Sequence, residues 1–325
     1  MNGNQAKRHI REYHDEMLSP LGLAIQEDAA ALRASFAQAR PFAHVIVDGF
    51  LDPEFAEALR TEFPAFDDRA ARNEMGETGG KAVVSKITAL GPAYQRFDRL
   101  MKSREFLDWT GELTGVPRLM YDPDYAGGGT HENRHGQELD FHVDFNYHPT
   151  RFLHRRLNLI VFLNPEWEEA WGGCLELRQD PWKEAEETSV KIVPLFNRAV
   201  IFETTETSWH GFSRIRLPEA RAGLSRRSLA VYFYTRERPA HQTAPAHSTV
   251  YIPRPLPARF QAGYTLSAAD RQELEDLITR RDGQIRFLYE REKESAEVMA
   301  GTLRSPSLRV GRVITWPLRK ALKRV

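Results

Sequence analysis

Asp140-Phe141-His142-Val143-Asp144-Phe145 alternates strictly between polar and apolar residues. In a β-strand successive side chains point to opposite faces, so residues two apart share a face. His142 and Asp144 then point the same way, while Phe141, Val143 and Phe145 pack on the other side. Outward from this strand the pattern continues. From about residue 117, short β-rich runs alternate with Gly, Pro, Asn and Asp: RLMYD, ELDFHVDF, RRLNLIVFLN, GGCLELRQD, SVKIVPL, RAVIFE and RRSLAVYFYT. Such a series predicts an all-β sandwich or barrel. Intervening helices are too scarce for a parallel α/β sheet.

An imidazole and a carboxylate on one strand face can share a metal ion, and a third ligand must come from elsewhere. His210 is the candidate, sixty-six positions beyond Asp144 in the run FETTETSWHGFSRI. Two histidines and one carboxylate on one face of a metal form the facial triad of non-haem Fe(II) oxygenases, whose open face admits a chelating cosubstrate and dioxygen. H-x-D alone is weak, because a strand histidine is more often structural than a ligand. The strand after His210 adds to it. In Arg226-Arg227-Ser228-Leu229-Ala230-Val231-Tyr232-Phe233 one face carries Arg226, Ser228, Ala230 and Tyr232, and the other Arg227, Leu229, Val231 and Phe233. The first face suits a carboxylate, since arginine's planar fork donates two hydrogen bonds at once. The plainer reading leaves both arginines in solvent at a strand start.

The arrangement resembles the Fe(II)- and 2-oxoglutarate-dependent oxygenase superfamily, in its prolyl-hydroxylase-like branch. The matching residues are H-V-D at 142–144, R-R-L-N-L-I-V-F-L-N at 155–164, G-G-C-L-E-L at 172–177, W-H-G at 209–211 and R-R-S-L-A-V-Y-F-Y at 226–234. G-G-G-T-H-E-N at 127–133 is also similar to bacterial members. The resemblance implies an α+β fold: a double-stranded β-helix, a jelly-roll or cupin-like barrel, flanked by N-terminal helices and a long C-terminal helix. It implies Fe(II) on His142, Asp144 and His210, with 2-oxoglutarate and O2 as cosubstrates. Arg226 would hold the distal carboxylate with Ser228 assisting, and Arg227 is the alternative because a one-residue slip exchanges strand faces. Asn158 falls where relatives place a polar residue facing the cosubstrate. Phe162 stands where many members carry a tyrosine, so another group must supply the lost hydrogen bond, and His131 is a candidate. The carboxylate is replaced by a small residue in related halogenases, so the presence of Asp144 points to hydroxylation, or a related oxidation such as desaturation or ring closure, with release of succinate and CO2.

Flanking segments complete the picture. A helix is expected over 20–40, a strand over 43–51, a helix starting at Asp52-Pro53, a loop over 66–80, a helix over 93–114 and a small strand at TVYIP. Ser267 to Asp270 resembles a capping box that opens a helix to about residue 300. Its narrow apolar stripe suits packing on the barrel or on a partner helix. The expected organisation is an N-terminal part (1–116), an oxygenase core (117–262) and a C-terminal helix with a basic tail (263–325).

Composition excludes other classes. With 325 residues, 41% of them hydrophobic, the chain can bury a core. Its 45 basic and 45 acidic residues balance, so overall charge does not point to nucleic acid. A single cysteine, Cys174, rules out a disulfide framework within the chain and is read as a small buried residue. The N-terminus lacks a signal-like apolar stretch, and the expected location is cytoplasmic. The tail 304–325 carries seven basic residues and no acidic ones, which leaves weak contact with an anionic membrane surface as a minority reading, and no nucleic acid is expected. The substrate is open: small molecule, glycan, lipid or peptidyl residue. His148 and His154, in the loop after the H-x-D strand, read as solvated loop histidines, with a place at the substrate entrance as the alternative; Trp167, Trp171 and Trp209 are candidate pocket walls. The competing reading is a non-catalytic β-helix that binds or scaffolds.

Overall fold

The computed structural model describes residues 20–22, 29–67, 71–72, 78–182, 188–253 and 255–306. It turns the alternating runs into antiparallel strands. These are β1 (His44–Val47), β2 (Ala71–Arg72), β3 (Thr78–Val84), β4 (Met120–Tyr121), β5 (Gly129–Asn133), β6 (Leu139–Val143), β7 (His154–Phe162), β8 (Leu175–Arg178), β9 (Ser189–Ile192), β10 (Arg198–Glu203), β11 (Trp209–Phe212), β12 (Arg226–Thr235) and β13 (Val250–Ile252). The larger sheet runs β1-β10-β7-β12-β5-β3-β2, with β4 also paired to β12. The smaller runs β13-β6-β11-β8-β9.

The two faces of the larger sheet do different work, and strand alternation is the cause. Leu157, Leu159, Val161, Ala199, Ile201, Leu229, Val231 and Phe233 face a helical layer, in one core with Phe55, Leu59, Phe97, Met101 and Phe106. The opposite face meets the smaller sheet, where Phe162, Val200 and Phe202 pack against Leu175, Leu177 and Ile192. Within the first unit, among the described residues, helices cover one face of the larger sheet and the smaller sheet meets the other. This is the expected double-stranded β-helix architecture.

The helical layer comprises α1 (Ala29–Gln38), α2 (Pro53–Thr61), α3 (Pro92–Lys102) and α4 (Arg104–Thr114). Asp52 caps α2 by accepting from the backbone N–H of Glu54 and Phe55, with proline following at the first helical position. The single helix expected over 93–114 is two. Ser103 breaks it: its Oγ accepts from Phe106 N and donates to Leu100 O, so one hydroxyl ends α3 and caps α4. The buried periodicity continues across the break, which is why the sequence reads as one helix. The loop expected over 66–80 holds β2 and the start of β3. β3 finds its partner in β5, and that long-range pairing leaves no local signal in a polar, glycine-bearing stretch.

Contacts divide the chain into two units, Met1–Arg254 and Pro255–Val325. The second contains α5 (Ala268–Arg304), opened by the expected capping box between Ser267 and Asp270. No helix among the described residues is long and apolar enough to cross a membrane. Most of the basic tail, from residue 307 on, lies outside the described residues.

Candidate active site

β6 and β11 are neighbours, and His142 and His210 are direct partners across them, with ring centroids 4.2 Å apart. Gly211 permits the approach: an added Cβ would lie 2.7 Å from the Leu139 carbonyl oxygen, closer than a methyl group can come. The Nδ1 of His142 lies 2.9 Å from Asp140 O, and that of His210 lies 3.0 Å from Ser208 O. A carbonyl only accepts, so each Nδ1 carries the proton and each Nε2 keeps its lone pair for the cavity. Asp144 follows β6 directly. Its Oδ1 is 3.8 Å from His142 Nε2 and its Oδ2 is 3.5 Å from His210 Nε2. One ligand atom from each of the three side chains lies within 4.8 Å of the others.

Electrostatics prepares these groups. Burial depresses the pKa of both imidazoles, that of His210 to about 3, so both are neutral near pH 7. Burial alone would raise the Asp144 pKa. The Arg155 guanidinium, with the hydrogen bond from the Asn158 amide, outweighs it and holds the carboxyl well below its ordinary range. Arg155 Nη2 is 3.0 Å from Asp144 Oδ2, and Asn158 Nδ2 donates to the same oxygen at 2.8 Å. Arg155 also donates to Asn158 Oδ1 from Nε and Nη2. Its guanidinium lies 3.5 Å from the Tyr232 ring centroid and 4.5 Å from that of Phe145.

These residues line one open cavity, and Arg226, Ser228, His131, Asn133 and Lys81 line it too. Arg226 is 4% exposed. Its Nε donates to Gly173 O at 2.7 Å, and its guanidinium sits 4.3 Å and 5.1 Å from the ring centroids of Phe212 and Phe162. The carbonyl is presented by Gly172-Gly173, both at positive φ, where an added Cβ on Gly172 would lie 2.1 Å from Arg214 O. Burial pulls the Arg226 pKa down to about 10, leaving it charged at neutral pH. Among the described residues no carboxylate is at ion-pair distance from Arg226. Arg227 points the other way and pairs with Glu132 at 3.1 Å.

All seven sequence-selected residues therefore line the cavity: His142, Asp144, His210, Arg226, Ser228, Asn158 and His131. Asn158 spends its amide on Asp144 and Arg155. Sequence reasoning missed Arg155, Asn133 and Lys81. For Arg155 the strand parity was misleading. Counting back by twos from Asn158 selects Arg156, but the β7–β12 register shifts beyond Leu157, pairing Tyr232 with Asn158 and Tyr234 with Arg155.

Other candidates fall away. His148 is not a solvated loop residue: it is 2% exposed. With Asp122 and Asp124 it forms a second cluster of metal-binding residue types. Its Nδ1, however, accepts from the backbone N–H of Thr150 and Arg151. Nε2 must then carry the proton and donate to Asp122 Oδ1 at 3.2 Å, so no lone pair remains for a metal and the cluster ties down a loop. Trp167 and Trp171 are not among the cavity-lining residues; they pack behind one of them, Phe212, with Ile215 and Leu217. Cys174 is buried, as expected.

The donor chemistry fits iron(II). Two neutral imidazoles with fixed tautomers and one ionised carboxylate form a mixed N/O facial set, with room in the cavity beside it. Across the same cavity, Arg226 offers charge to an anion.

A protein-family comparison points the same way. Residues 128–248 match the family model described as the 2OG-Fe(II) oxygenase superfamily. A mouse protein named prolyl 3-hydroxylase OGFOD1 is 23% identical over 217 residues, covering 66% of this chain and 36% of that protein. The match thus spans little more than a third of that relative's length. Among solved structures, a prolyl hydroxylase from Trichoplax adhaerens, in complex with a hypoxia inducible factor peptide fragment, is 14% identical. It covers 65% of this chain and 92% of its own, with a TM-score of 0.45. A prolyl 4-hydroxylase from Phytophthora capsici is 17% identical over 79% of this chain and 76% of its own, with a TM-score of 0.43.

Proposed function

We propose that this chain, a member of the 2OG-Fe(II) oxygenase superfamily through residues 128–248, is an Fe(II)- and 2-oxoglutarate-dependent dioxygenase that hydroxylates its substrate. One observation carries the reading. A buried His-Asp-His cluster of ligand atoms shares a cavity with a buried arginine that has no carboxylate partner among the described residues. His142 Nε2, His210 Nε2 and Asp144 would hold the metal. Arg226, with Ser228 on the same strand face, would hold the distal carboxylate of 2-oxoglutarate. Iron(II), when bound with 2-oxoglutarate and dioxygen, supplies the oxidation, and succinate and CO2 are the by-products. The protein's own contribution is placement. The backbone carbonyls of Asp140 and Ser208 aim the imidazoles, Arg155 and Asn158 hold Asp144, and Gly173 with Phe212 aims Arg226. An intact ligand set with an aimed anchor favours an enzyme over a scaffold of the same fold. The prolyl hydroxylases among its relatives make an amino-acid residue of a peptide the first substrate class to try. The three-part division at 116/117 and 262/263 remains our working description of the chain.

The test is an anaerobic titration of the full chain with Fe(II) and 2-oxoglutarate, following the visible metal-to-ligand charge-transfer band. We expect a band in the wild type, none in His142→Ala, and one needing far more 2-oxoglutarate in Arg226→Ala. Folded wild-type protein that gives no band would refute the assignment.

A further inference from the structure

Asn133 is a cavity-lining residue whose side-chain oxygen has no hydrogen-bond partner. It is 3% exposed, lies on β5 directly opposite Arg226 on β12, and lines the cavity. Its buried Oδ1 has no hydrogen-bond partner, and its side-chain amide makes no hydrogen bond to any described residue. A buried amide left so is costly in a folded protein, and such exceptions call for an explanation. Its neighbours narrow that explanation. Cross-strand partners share a face, so Asn133 and Arg226 stand side by side, as do His131 and Ser228. Arg226 has committed Nε to Gly173 O, and its two terminal nitrogens remain for a ligand.

His131 is poorly suited to add a donor here. Its Nε2 lies 3.2 Å from Gly127 O and must donate to it. Burial, foremost, keeps the ring neutral, so Nδ1 can only accept. A carboxylate needs donors. Phe162, which shares the inward face of β7 with Asn158 and Ile160, has no polar atom. The donor absent at Phe162 is available from the Asn133 amide, whose two ends exchange by rotation about χ2.

Resting on the cosubstrate assignment above, we infer that Asn133 is a binding residue of the distal-carboxylate pocket, donating from Nδ2 to the carboxylate that Arg226 neutralises. The partnerless amide beside the arginine is then satisfied by the ligand. The pocket selects a dicarboxylic 2-oxoacid through Asn133 and Arg226 together.

Binding of 2-oxoglutarate to the anaerobic Fe(II) protein, read from the charge-transfer band, tests this without turnover. Mn(II) affinity, measured separately by electron paramagnetic resonance, reports whether the metal site is intact. Asn133→Leu is expected to weaken 2-oxoglutarate about tenfold, the size of one hydrogen bond to a charged group, with Mn(II) affinity unchanged. Asn133→Asp should weaken it further, because an anion then faces an anion; it also supplies the test should the leucine variant misfold. Affinity within twofold of wild type in Asn133→Leu, or a parallel loss of Mn(II), would overturn the inference. If Arg226→Ala cripples 2-oxoglutarate binding while the Asn133 variants do not, only this inference fails. If neither substitution matters, the cosubstrate assignment fails with it.

Discussion

Arg155 shows how much one side chain can decide. It is buried beside Asp144, grips Asn158 with two nitrogens, and is stacked on Tyr232. Its Nη2 and the Asn158 amide converge on a single carboxylate oxygen, Oδ2. That leaves Oδ1 unencumbered for a metal and prevents Asp144 from rotating. Groups that orient metal ligands in this way typically change metal affinity tenfold to a hundredfold when removed. Arg155→Met, which retains an unbranched apolar side chain without the donors, should weaken Mn(II) binding by about tenfold or more. A titration followed by electron paramagnetic resonance would show it, and unchanged affinity would mean that Asp144 needs no such support. In the sequence, H-x-D and the distant histidine were legible as candidate ligands from residue type and strand parity together with the family resemblance. Arg155 was not, because the shifted register that turns it inward exists only in the pairing of β7 with β12.

At the scale of elements, the close approach of β11 to β6 brings the candidate metal ligands together. His210 lies opposite His142, and Gly211 lets the strands come together. Gly211→Ala would force a methyl group against the backbone of Leu139 and Asp140. Spreading the two strands there separates the imidazoles. The expected outcome is loss of the charge-transfer band at Fe(II) concentrations that saturate the wild type, with far-UV circular dichroism retained. A variant that binds iron normally would show that the strands yield without moving the histidines. The W-H-G triplet was visible in the sequence, but the purpose of its glycine was not. A non-helical glycine with nothing unusual about its neighbours says little until the facing strand is known.

For the whole molecule, three neutral imidazoles in one cavity tie stability to pH. His131, His142 and His210 have pKa values depressed below the ordinary 6.5, chiefly by burial. In the unfolded chain they titrate normally, so below that value the unfolded state binds more protons than the folded one. Stability of the metal-free protein should therefore fall as pH drops below about 6.5, and the His210 contribution should continue to decline towards about 3. Denaturant midpoints at about pH 7.5 and about pH 5 would reveal the loss, and equal midpoints would contradict the neutral assignment. A divalent cation should restore part of it by binding the folded state alone. The sequence by itself determined the strand-rich core, the metal-binding residue types and the face Arg226 shares with Ser228, because alternation with a period of two is a local property of the chain. Only the tertiary structure decided that Arg226 rather than Arg227 enters the cavity, that Arg155 secures Asp144, that His148 is a latch, and that Asn133 stands beside Arg226. Each of those depends on which strand lies next to which, and in what register. Hydrogen bonds between residues far apart in the chain set both, and no local pattern encodes them.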